Sequence, residues 1–82
     1  MKVLRFSADA AKSLRRHANM APRIRAKLAE YAADPAALAN NVTPLVGVEA
    51  KRLRVGDFRV IFTEDENEIL VLAIGPRGDI YG

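Results

Sequence analysis

Apolar and polar residues recur with two different periods along this chain, and the change of period divides it into a helical first half and a strand-rich second half. Lys2 to Phe6 alternates with period two and predicts a strand. Ser7 follows as a good N-cap. Residues 8–17 suit a helix, with Asp9 near its start and Arg15, Arg16 and His17 near its end, all matching the helix dipole. Residues 19–22 break that pattern. A second helix is predicted over about 22–33, where proline is tolerated in the first turn and Ile24, Leu28, Tyr31 and Ala32 form one apolar stripe. Asp34-Pro35 opens one short turn to Ala39, and residues 40–44 read as a loop.

From Lys51 the period is two. Lys51 to Val55 alternates, Gly56-Asp57 is a tight-turn pair, and residues 57–63 are β-rich. The acids between Glu64 and Glu68 mark a hairpin tip. Ile69 to Ile74 reads as a continuous apolar strand broken by Gly75-Pro76, and Asp79-Ile80-Tyr81 as a last short strand. The order β-α-α-β-β-β predicts an α+β fold, a mostly antiparallel sheet with an N-terminal helical hairpin packed on one face. The 82 residues are expected to form a single domain.

Composition narrows the chemistry. The chain has no cysteine, which excludes disulfides, thiolate metal sites and a cysteine nucleophile. It has one histidine, too few for a histidine pair or a His-rich zinc site. No metal and no cofactor are expected. No apolar run approaches the roughly 18 residues of a membrane helix, and the N-terminus lacks a signal-peptide core, so the default expectation is a soluble cytoplasmic protein. The net charge is +3, with the excess of positive charge in residues 1–63 and four acids gathered in 64–68. A surplus that small is a weak signal for nucleic acid. So short a chain draws only a few kcal/mol of net stability from its own core, which makes a partner plausible.

The most informative chemistry lies in the middle strands. Alternation puts Arg52 and Arg54 on one face and Leu53 on the other, and puts Arg59 with Ile61 opposite Phe58, Val60 and Phe62. Two helices cover only one face of a sheet. The other face is then a partly apolar surface carrying Arg52, Arg54 and Arg59, which suits phosphate or carboxylate. The competing reading is that these arginines pair with Glu49, Asp57 or Asp79. Elsewhere, His17 reads as a solvated helix-end residue, and the acids at 64–68 as a solvated tip. Arg15, Arg16, Arg23, Arg25 and Lys27 read as either a basic RNA-facing helix surface or an ordinary solvated one. Gly75-Pro76-Arg77-Gly78 is not a phosphate loop, because no helix and no Lys-Ser/Thr follow it.

The run Lys51-Arg52-Leu53-Arg54-Val55-Gly56-Asp57-Phe58-Arg59-Val60-Ile61-Phe62 and the ending Ile74-Gly75-Pro76-Arg77-Gly78-Asp79-Ile80-Tyr81 resemble the RelE/ParE toxin superfamily of type II toxin–antitoxin systems. The Arg…Arg…Tyr set points to the RelE-like branch. The resemblance implies a ribosome-dependent mRNA endonuclease that inhibits translation, in which a ribose 2′-OH attacks the adjacent phosphate without a metal. It implies that Arg59 stabilises the charged phosphorane, that Arg77 contacts the scissile phosphate and acts as acid toward the 5′-oxygen, and that Tyr81 stacks on a base. Arg52, a catalytic candidate, falls with the RNA contacts Lys51 and Arg54 where the family carries the lysines of a basic strand, one of which is a candidate base. It also implies an antitoxin partner, expected from an adjacent gene, covering the open sheet face. The alternatives within the superfamily are a ParE-like toxin acting on gyrase and a member that only binds an antitoxin. Two departures bear on activity. Pro76 and Gly78 flank Arg77 where relatives often carry basic residues, and arginine stands at 52 where many carry lysine. Lysine can act as a base when its pKa is lowered, whereas arginine hardly can.

Overall fold

A computed structural model of the chain describes residues 2–76. Among the described residues five strands form one sheet: β1 (Val3–Phe6), β2 (Val42–Pro44), β3 (Lys51–Val55), β4 (Phe58–Glu64) and β5 (Glu68–Pro76), in the spatial order β1-β5-β4-β3-β2. Two helices, α1 (Ala8–Arg16) and α2 (Ala21–Ala33), and a 3-10 segment over Pro35–Asn41 lie between β1 and β2. The expected α+β fold is present, and the order read from the sequence is extended by one strand. Val42–Pro44, read as loop, pairs antiparallel with β3. β5 also runs through Gly75 and Pro76, where a break was expected, because Pro76 falls at the end of the ladder opposite Phe58. The short strand expected at 79–81 lies outside the described residues.

The sheet is antiparallel except for β1, which pairs in parallel with β5, Val3 opposite Glu68 and Phe6 opposite Val71. Ser7 makes the join between layers. Its Oγ accepts from the Ala10 amide at 3.0 Å, capping α1, and donates to the Leu72 carbonyl at 2.9 Å. Leu72 is itself the extra residue of a bulge. Ile61 pairs with Ala73 and Phe62 with Val71, so Leu72 has no opposite residue on β4.

The helices cover one face. The stripe Ile24, Leu28, Tyr31 and Ala32 of α2 and Ala10 and Leu14 of α1 are buried against Leu53, Val55, Val60, Phe62, Ile69, Val71 and Ile74. Tyr31 meets Phe62 edge to face at 5.2 Å between ring centres. A fully buried side chain of this size contributes about 1.5–3 kcal/mol, so this one layer carries the fold. The opposite face of the sheet has no layer over it among the described residues. The strands therefore hold one fixed face toward the core and display the other.

Candidate functional site

The displayed face is graded from apolar to basic. On the β1–β5 side it presents Val3, 61% exposed, and Leu72, 37% exposed, with Leu70 and Ala73 half-buried, beside the ion pair of Arg5 with Glu68 at 3.8 Å. On the β3–β4 side it presents Arg52, Arg54 and Arg59. The register sets these arginines in a close array. Arg54 lies directly across from Arg59, and Arg52 across from Ile61 on one side and Thr43 on the other. Opposed residues on neighbouring strands have Cβ atoms about 4.5–5.5 Å apart, and like charges placed so are destabilising. Ile61, on the open face between Arg52 of β3 and Ala73 of β5, is only 7% exposed.

The three arginines converge with Asn40, Asn41 and Thr43 on a cavity of about 140 Å³, room for a phosphate-sized anion. Its neutral lining groups are amides and a hydroxyl, which add hydrogen bonds without adding negative charge. Among the described residues, the ion pairs within 4 Å involve Lys2, Arg5, Lys27 and Lys51 as cations. Glu49 and Asp57, the described carboxylates considered as partners for the arginines, make no such pair. The concentration of positive charge is thus uncompensated by described carboxylates, and planar guanidinium groups suit bidentate contact to a phosphate.

The other residues of the sequence reading fall in different places. Lys51 has the parity of Leu53 and Val55 and points to the helix-covered face, away from Arg52 and Arg54. Its Nζ donates to Glu64 Oε1 at 2.5 Å. Arg77 and Tyr81 lie outside the described residues. His17, expected to be solvated, packs edge to face on Phe58 at 4.9 Å between ring centres.

Glu64 is the residue that the sequence reading misplaced. It does not belong to a solvated tip, which is held instead by Asp65, whose Oδ1 accepts from the Asn67 and Glu68 amides at 2.7 and 2.8 Å. The Glu64 side chain is only 10% exposed and accepts from Lys2 Nζ at 2.6 Å, Tyr31 OH at 2.5 Å and Lys51 Nζ at 2.5 Å. Partial burial pushes its pKa up, but the hydrogen bonds from Lys2, Lys51 and Tyr31 outweigh this and bring it down to about 2. Burial and the bond to that carboxylate hold the Tyr31 phenol protonated well above its usual range. The signal was available in parity, since Glu64 follows Phe58, Val60 and Phe62 on the inward side of β4. The cluster clasps β1, α2, β3 and β4 together and lies on the opposite face from the arginines.

Comparison with known proteins gives two results. Residues 4–81 match the family described as ParE toxin of type II toxin–antitoxin system, parDE. Among solved structures, the fold is similar to the archaeal RelE-RelB complex from Pyrococcus horikoshii OT3, with a TM-score of 0.77 and 22% identity over 95% of this chain and 97% of that one. It is also similar to the toxin–antitoxin complex RelBE2 from Mycobacterium tuberculosis, with a TM-score of 0.64 and 22% identity over 93% of this chain and 98% of that one. No curated protein matches the sequence.

Proposed function

From the premise that this chain belongs to the ParE toxin family of type II toxin–antitoxin systems, we propose that it acts as a metal-independent endoribonuclease on ribosome-bound message. The observation that carries the reading is the convergence of Arg52, Arg54 and Arg59 on one cavity of the open sheet face, with no described carboxylate to neutralise them. RNA brings its own nucleophile. The 2′-oxygen attacks the adjacent phosphorus, the bond from phosphorus to the 5′-oxygen breaks, and the products are a 2′,3′-cyclic phosphate and a 5′-hydroxyl. One proton leaves the 2′-oxygen and one is delivered to the 5′-oxygen. A protein can accelerate this by aligning the three atoms and stabilising the charge that builds on the phosphoryl oxygens. Arg59 and Arg54, facing each other across two strands, suit the second task. Arg52, near the neutral donors Asn41 and Thr43, suits holding the backbone.

Among the described residues, the lining of the cavity has no imidazole or carboxylate for proton transfer. In this reading, proton movement falls to solvent, to ribosomal groups and to Arg77, and Tyr81 orients a base. A site of guanidinium groups is slow by itself, and dependence on the ribosome to arrange the substrate follows from that. The structures of similar fold were solved with their antitoxins. A partner of that kind, laid over the open face, would silence the arginines and bury the exposed apolar residues beside them. A second reading rests on the family description, which names the ParE toxin: a binding toxin acting on gyrase through the same basic face.

The test measures, in one preparation, cleavage of ribosome-bound message and gyrase-dependent DNA breakage. Message cuts that vanish with Arg59→Ala, and weaken with Arg77→Ala and Tyr81→Phe, support the endonuclease. DNA breakage without message cuts replaces it with the gyrase reading. Tight antitoxin binding with neither activity leaves a member that only binds its partner.

A further inference from the structure

The basic array does not end at the edge of the sheet. The β3–β4 turn carries Gly56 at φ +59°, and from the helix layer Arg23 lays its guanidinium on that glycine. Its Nη1 lies 3.2 Å, and its Cζ 3.4 Å, from the position a Cβ on Gly56 would take. Arg23 is exposed and is among the cations with no carboxylate within 4 Å among the described residues. Arg54 precedes the turn by two residues and Arg59 follows it by three, so both project on the far side of the same strand ends. Asp57, in the turn itself, is the described acid nearest in sequence, and it makes no ion pair within 4 Å. Positive side chains thus reach the end of the β3–β4 hairpin from both layers, with a bare glycine between them.

Building on the endonuclease reading, we propose that Arg23 and the Gly56 turn form a second phosphate subsite, over which single-stranded RNA bound at Arg52, Arg54 and Arg59 leaves the open face. Three features favour a sugar–phosphate backbone as the occupant. With no side chain at Gly56, the Arg23 guanidinium lies directly on the turn, at the end of the row of arginines. Residues two apart on a strand are about 6.6–6.8 Å apart, so Arg52, Arg54 and the turn form a stepped row rather than a single point. Guanidinium groups laid along a groove contact a single strand without reading its sequence. Arg23 is a positioning residue here. It does not line the cavity that would hold the reacting phosphate, and it adds length to the binding track.

The experiment measures binding of the full-length chain to fluorescein-labelled oligouridylates, from a dinucleotide upward, at several salt concentrations. The wild type should gain affinity as the RNA grows long enough to span both subsites. Arg23→Ala should leave dinucleotide binding unchanged, abolish the gain with length, and flatten the salt dependence by about 0.7 in log–log slope, the loss of one phosphate contact. Arg23→Lys should restore most of the slope. Unchanged length dependence and slope in Arg23→Ala overturn the subsite, while dinucleotide binding sensitive to Arg59→Ala leaves the endonuclease reading intact. Equal weakening of all lengths in Arg23→Ala, with a fall in melting temperature, also overturns it and makes Arg23 a brace for the turn. Absence of RNA binding by the wild type overturns the subsite, and the cleavage assay on ribosome-bound message then decides the endonuclease reading by itself.

Discussion

Two small clusters, one satisfied and one unsatisfied, set what single residues do in this protein. Glu64 is satisfied by three donors. Its carboxyl ionises at about 2 in the folded chain against 4.5 when free, so its contribution to stability is fully present above about pH 4.5 and is lost as the pH falls toward 2. Screening at the rim of the core limits that contribution to roughly 1–2 kcal/mol. Thermal melts at pH 7 and pH 2.5 check this. Glu64→Gln should be less stable than wild type at pH 7 and should lose less on acidification; parallel acid losses would show that other groups govern it. The arginine cluster behaves in the opposite way. Arg54 and Arg59 oppose each other on adjacent strands, and relief of their repulsion is worth a few tenths of a kcal/mol, up to about 1. Arg59→Thr should therefore melt higher than wild type at low salt while losing activity, with the difference shrinking as salt is added. An Arg59→Thr protein that melts lower at every salt concentration would mean that Arg59 is held by attractive contacts instead.

At the scale of elements, alternation makes most of the fold legible, and its parity also fixes which face each charged side chain takes. The stripe of α2 and the inward sides of β3 and β4 follow from the spacing of apolar residues, and the Ser7 cap from the serine hydroxyl at a helix start. Arg52, Arg54 and Arg59 fell on the open face for the same reason. Lys51 and Glu64 were legible too, because they share parity with Leu53 and with Phe62. Lys51 was grouped with its basic neighbours by resemblance, and Glu64 with its acidic neighbours by composition, and both groupings cut across the strand period. β2 was not legible. Three residues ending in proline have no period, and they pair only because β3 offers a free edge. The parallel pairing of β1 with β5 joins the first and last described strands, a long-range pairing that neither strand's own period announces. The β3–β4 turn yields a prediction at this scale. Gly56→Ala places a methyl group in a left-handed position against the Arg23 guanidinium, which should cost about 1–2 kcal/mol. Gly47→Ala, at φ +83° but with nothing within 4 Å, should cost the conformational part alone. Equal losses in denaturant titrations of the two variants would show that the contact with Arg23 is immaterial.

For the whole molecule, the decisive asymmetry is a sheet with helices on one side and nothing described on the other. The core layer is thin, and the exposed Val3 and Leu72, beside three arginines that pair with no carboxylate among the described residues, form an amphipathic surface larger in consequence than any pocket. An antitoxin segment that buries this surface must offer apolar side chains toward β1 and β5 and acidic ones toward β3 and β4. Such a partner binds the folded chain and not the unfolded one, so it raises the melting temperature by mass action. The two halves of the surface separate in their response to salt. Leu72→Glu puts a charge where apolar contact is required, yet spares the Leu72 carbonyl that Ser7 uses. It should weaken partner binding at least tenfold, equally at low and high salt, while leaving the melting temperature of the free toxin within about 2 °C. Arg54→Ala should weaken binding mainly at low salt, because the charge it removes is screened at high salt. Calorimetric titration of the purified antitoxin into each variant at two salt concentrations distinguishes these patterns. Undiminished affinity in both variants would place the partner on the helix layer, and the arginines would then stay open to RNA in the complex.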